Sequence, residues 1–124
     1  MAPPSGAWLT ELAHRDGRRF SAYDAYLKPA LMRPNLTVLK GAHVIRVVLE
    51  GGRATGIVVR QGGREETHAA GGVVLAAGAF GSPHLLLHSG VGPGPQLQRH
   101  GIAVMVNAPE VGANLQDHPL NGVI

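Results

Sequence analysis

Val73-Val74-Leu75-Ala76-Ala77 is apolar at every position, introduced by Gly71-Gly72 and followed by Gly78. A strand with one wet face alternates apolar and polar side chains. A run without alternation suits a strand covered on both faces, the position of a parallel strand inside an α/β layer. That assignment constrains the whole chain. A parallel strand needs parallel neighbours, each reached by a crossover of a dozen or more residues. The rest of the sequence offers one weak candidate, residues 102–106. The chain is therefore expected to carry one strand of a sheet whose other members it lacks, as a fragment would, and to expose the flank of 73–77.

The stretch before this run reads differently. Ser21 is placed to cap a helix over 22–31, where Tyr23, Tyr26, Leu27 and Ala30 fall at helical spacing; Pro29 bends or ends it, and Arg33-Pro34-Asn35 closes the segment. A short helix over 8–14 is the only element expected in the irregular first twenty residues. A meander then occupies 36–69. Its strands are 36–40, 44–50, 54–60 and a polar return over 64–69, broken by Gly41, Gly51-Gly52 and Gln61-Gly62-Gly63. One face of it is expected to be wet. Beyond Gly78, Ser82 is a good cap for a helix over 82–89 with Pro83 in its first turn; Ser89-Gly90 ends it. Residues 93–124 are loop-rich, with a short helix over 96–100.

Composition excludes several functions. The chain has no cysteine, so neither a disulfide framework nor a thiolate metal site lies within it. No apolar run reaches the length of a transmembrane helix, and residues 1–13 lack the basic start and apolar block of a signal peptide. The formal charge is +3, but the basic residues do not gather. Arg and Lys before residue 68 are scattered among acidic side chains, and only Trp8, Phe20, Phe80, Tyr23 and Tyr26 could stack on bases. Phosphate binding needs several cations on one face, so nucleic acid is not an expected partner.

Gly78-Ala79-Phe80-Gly81-Ser82-Pro83-His84-Leu85-Leu86-Leu87-His88-Ser89-Gly90-Val91-Gly92 resembles, position for position, a signature segment of the glucose–methanol–choline (GMC) flavoprotein oxidoreductases. Val111-Gly112-Ala113-Asn114-Leu115-Gln116-Asp117-His118-Pro119 is similar to the family's next block. Upstream, Ser21-Ala22-Tyr23-Asp24-Ala25-Tyr26-Leu27 and Arg33-Pro34-Asn35-Leu36-Thr37-Val38 match as well, in the family's order. Tyr23 stands where the family usually has a small residue. The resemblance leans towards the choline dehydrogenase-like branch.

The resemblance implies a mixed α/β (α+β) fold: over 21–124, part of an FAD-binding Rossmann-like domain with an antiparallel β-meander, incomplete as a stand-alone domain. It implies FAD as cofactor and an alcohol as substrate of the full-length parent, with hydride passing from the CH–OH carbon to the flavin. The family's GxGxxG unit, which holds the FAD pyrophosphate at a helix N-terminus, has no counterpart in these residues. Nor has its catalytic histidine, so no catalytic residue is assigned and the chain alone is expected to be inactive and flavin-free. Three cofactor contacts carry over: Val44, whose backbone would meet the adenine, and Ala77-Gly78, which would lie against the ADP portion. Backbone N–H and C=O groups can read an adenine edge, and glycine admits close approach of main chain to ligand. Val44 reads equally as an ordinary core strand residue, and Gly78 as a strand-ending turn.

Other signals are weaker. Gly90-Val91-Gly92-Pro93-Gly94 imitates a phosphate loop, but it follows a helix and its prolines lack donors, so it reads as a structural turn. His84 and His88 are spaced i, i+4 as two metal ligands would be. No HExxH glutamate or third ligand accompanies them, so no metal site is expected. Asp117-His118 does not read as a catalytic dyad, because adjacent residues on an extended chain point apart. No GxSxG elbow surrounds Ser82. Two other readings compete: a non-catalytic binding or interaction module, and a fragment of a pyridine-nucleotide disulfide-type flavoprotein, against which the missing cysteine pair counts. Self-association through the exposed sheet edge is expected.

Overall fold

The computed structural model describes residues 12–117, which divide into two units, one ending at Leu39 and one beginning at Lys40. Of the expected helix over 8–14, residues 8–11 lie outside the described residues, as do His118 and Pro119 of the last motif. Within the described part, His14 instead opens a strand.

In the first unit, β1 (His14–Arg15) pairs antiparallel with β2 (Arg18–Arg19). Asp16 and Gly17, both at positive φ, make the two-residue turn that matches the strand twist. The Arg15 guanidinium lies 3.9 Å from the Phe20 ring centroid. Ser21 does cap the next element, reciprocally. Its N–H and Oγ–H both donate to Asp24 Oδ2, at 3.0 and 2.6 Å, while Asp24 N–H donates to Ser21 Oγ at 3.4 Å. These bonds, the side-chain one first, hold the Asp24 carboxyl below its ordinary pKa. The capped segment is not the regular helix that the spacing predicts. Tyr23–Leu27 is π-helical and only Lys28–Ala30 (α1) is α-helical. Pro29 explains the widening: it has no N–H to donate, and its ring crowds the carbonyl four residues back. Residues 36–39 have no strand pairing.

In the second unit, β3 (His43–Glu50), β4 (Arg53–Gln61) and β5 (Arg64–Ala69) form an antiparallel sheet in that order. Its two turns are Gly51-Gly52 and Gly62-Gly63, all four glycines at positive φ. The meander therefore starts at His43, not at residue 36. Val58 and Val59 are consecutive, so they point to opposite faces, and both are buried. The middle of β4 is thus covered on both sides. The expectation of a wet face holds only for β5, the polar outer strand, almost wholly exposed. Arg60 and Glu65 are cross-strand partners and form an ion pair of 2.6 Å, each about half exposed.

The run at 73–77 corrects the expectation of a buried strand. It forms no strand and pairs with nothing in a sheet, and Val74 is 91% exposed. The reason is the one that makes it unusual in the sequence. A parallel strand has no stability without neighbours, and the described residues supply none beside it.

The next helix, α2 (Gly78–His88), begins four residues earlier than Ser82 predicts. Gly78 adopts φ +79 and swings the chain into the helix, a conformation that favours glycine. Ser82 sits inside the helix, where its Oγ accepts the Ala77 N–H at 3.1 Å, so it satisfies a backbone donor from within. Pro83 is interior too and removes one helical rung.

Past Gly90, β6 (Val91–Gly92) runs parallel to β7 (Val106–Asn107), with α3 (Gly94–Arg99) between them. Val91-Gly92 is therefore a strand and not only a turn, and the strand expected over 102–106 shrinks to its last residue and Asn107. The pairing stops after two rungs, where the chain turns into α3. Leu97, 1% exposed, anchors α3 in a small apolar centre, and Asn107 Oδ1 accepts the Gly94 N–H at 2.9 Å.

Candidate functional site

The helix and the sheet are tied by Ser89, the residue after α2. Its Oγ accepts the Val47 N–H of β3 at 2.8 Å and donates to the Leu85 carbonyl, and it is 7% exposed. β3 is an edge strand, whose outward backbone groups would otherwise lack partners. In the sequence this serine reads only as part of a helix stop. A buried hydroxyl facing a sheet edge leaves no local signature.

With α2 held there, a cleft of about 490 Å³ opens between one side of the helix and the start of β3. Val44, Ile45, Arg60, Ala77, Gly81 and Leu85 line it. Its volume falls in the range of small-molecule and cofactor sites, roughly 300–1,000 Å³. The structure thus brings Val44 and Ala77 to one cleft from distant parts of the sequence. Gly78 is not among the lining residues; it is exposed beside Ala77.

Two further residues shape the cleft that sequence reasoning missed. The β3–β4 register shifts between Val44 and Arg46, a bulge at Ile45 that breaks the alternation of the strand beside Val44. Gly81 has no room for a side chain, because a Cβ there would come 2.8 Å from the Ala77 Cβ. The glycine is visible in the motif, but its reason is not. Arg60 lies at the cleft with its charge engaged by Glu65.

Chemically, the cleft offers apolar walls and the main chain of an edge strand. A flat heterocycle with polar edges is what such a surface can accept. On the fit of FAD, the cleft that Val44 and Ala77 share has the apolar walls and strand-edge backbone that a flat nucleobase requires, while nothing in the described residues forms a pyrophosphate cradle. His84 and His88 also border the cleft, with Nε2 atoms 3.1 Å apart.

Comparison with solved structures identifies the class. The chain is similar to pyridoxine 4-oxidase from Mesorbium loti, with a TM-score of 0.74 and 40% identity over 78% of this chain and 19% of that one. An FAD-dependent oxidoreductase from Chaetomium thermophilum is similar at a TM-score of 0.69 and 29% identity, over 73% and 16% of the two chains. The meander with its flanking helix matches part of the fold of these flavin-dependent oxidoreductases.

The particular family is equally plain. The family model described as GMC oxidoreductase matches residues 4–120, and this chain belongs to that family. An oxygen-dependent choline dehydrogenase of Rhizobium rhizogenes (strain K84 / ATCC BAA-868) is 52% identical over 91% of this chain and 21% of its own length. An uncharacterized GMC-type oxidoreductase of Mycobacterium bovis (strain ATCC BAA-935 / AF2122/97) is 48% identical over 93% of this chain and 22% of its own. The chain spans about a fifth of the length of the curated relatives it matches.

Proposed function

We propose that this chain forms the adenine-receiving part of an FAD-dependent oxidoreductase that acts on the CH–OH group of a small alcohol. Val44 contributes backbone groups to the adenine edge, and Ala77 and Gly78 lie against the ADP portion. The observation that carries the reading is the shared cleft of Val44 and Ala77, in a chain whose family is FAD-dependent. The choline dehydrogenases among its relatives make a choline-type alcohol the favoured substrate class of the parent protein.

When bound, the flavin supplies the hydride acceptor. The residues of this chain do none of the bond-breaking; their part is to orient the cofactor through its nucleotide end. They lack the pyrophosphate cradle and the proton-accepting histidine that the family resemblance implies for the whole enzyme. The isolated polypeptide is therefore expected to purify colourless, without activity.

The test is amide NMR of the isolated chain titrated with ADP, a ligand that carries the adenine end alone. Shifts centred on Val44, Ala77 and Gly78 are expected, with weak affinity. Shifts centred elsewhere would refute the assignment; flavin bound near one per chain after purification would refute the expectation that the isolated chain is flavin-free.

A further inference from the structure

We propose that His84 and His88 form a two-nitrogen chelate for a divalent transition-metal ion, with Cu(II) preferred over Ni(II) and Zn(II). From the sequence no metal site is expected, for want of a third ligand. The geometry bears on a simpler one. The two Nε2 atoms are 3.1 Å apart, and the rings are near-perpendicular at 74° with centroids 4.4 Å apart. Metal–imidazole nitrogen distances are about 2.0–2.1 Å, so this gap corresponds to a nitrogen–metal–nitrogen angle of about 100°. That lies between the square-planar and tetrahedral angles, and neither ring need move far.

Three other observations support the assignment. Both side chains are exposed, so an ion can reach them without unfolding anything. Both project from one helix, which holds the pair at chelating distance before the ion arrives. The pair also forms the ridge between two clefts, the one lined by Val44 and Ala77 and an adjoining one of about 420 Å³ that reaches His100. The remaining coordination positions therefore open towards solvent. Among the described residues no three His, Cys, Asp or Glu groups gather into a metal site, so water completes the coordination sphere. Two imidazoles with water favour Cu(II) by the general affinity order of divalent ions.

Without metal, one ring donates its Nε2–H to the lone pair of the other. For both lone pairs to face the ion, the donor ring moves its proton to Nδ1 through solvent, a change of tautomer with no net loss of a proton. The interaction does not depend on the flavin assignment.

The test is Cu(II) titration of the intact polypeptide by calorimetry, with electron paramagnetic resonance to count nitrogen ligands. The variants are His84→Gln and His88→Gln, which leave the other five histidines in place. One ion per chain with two imidazole nitrogens is expected, and either variant should weaken binding at least tenfold. The metal should also raise the thermal midpoint of the wild-type chain but not of the variants, because the chelate forms only on the folded helix. Undiminished affinity in either variant, or equal affinity for the chain unfolded in urea, would overturn the proposal.

Discussion

Replacing Ser89 with alanine would leave the Val47 N–H buried and without its acceptor. Val47 is 6% exposed and Ser89 7%, so water has little access to the orphaned group. An unsatisfied buried donor costs about 1–3 kcal/mol. The second bond lost, from the Ser89 hydroxyl to the Leu85 carbonyl, adds little, because that carbonyl still accepts the Ser89 N–H at 3.0 Å. A loss of about 2 kcal/mol is therefore expected, close to a 30-fold change in equilibrium. Urea unfolding should show a lower midpoint at unchanged slope. Hydrogen exchange gives the local readout: the Val47 amide should lose protection by at least that factor, while amides paired between β4 and β5 lose no more than the global change requires. Ser89→Thr keeps the hydroxyl and separates its loss from steric effects. If Ser89→Ala costs less than about 0.5 kcal/mol and Val47 exchange is unmoved, the serine does not tie helix to sheet.

Three further outcomes are expected. Gly90→Ala should destabilise the second unit by about 2 kcal/mol or more, read by chemical unfolding, because φ is +81 there and a Cβ would strike the Ala103 carbonyl. Glu65→Gln should cost no more than about 1 kcal/mol, and the difference from wild type should shrink in high salt, because the Arg60 ion pair is half exposed. Asp24 titrates below its ordinary pKa, so the support it lends is present above the unfolded value and fades as pH falls through the folded one. Helical circular dichroism of the wild type should drop across that acidic interval, and Asp24→Asn should abolish the acid-dependent step.

What was legible in the sequence was local. Gly51-Gly52 and Gly62-Gly63 mark hairpins because tight turns demand positive φ, and glycine alone adopts it without strain. Ser21 caps its helix because its partner, Asp24, stands three residues away. The family resemblance was legible too, since it rests on contiguous motifs, and the matching family model extends over residues 4–120.

Tertiary structure decided the rest. Whether an apolar run becomes a strand depends on neighbours, and residues 73–77 stay unpaired for want of them. Where α2 begins depends on Gly78 turning the chain, not on the better capping residue at Ser82. The bond from Ser89 to Val47 and the cleft shared by Val44 and Ala77 join residues distant in the chain. Side-chain identity sets the local torsional preferences, but which distant backbone group ends up opposite a given hydroxyl is settled only when the elements pack. That is why the hairpins could be read from the letters alone and the cleft could not.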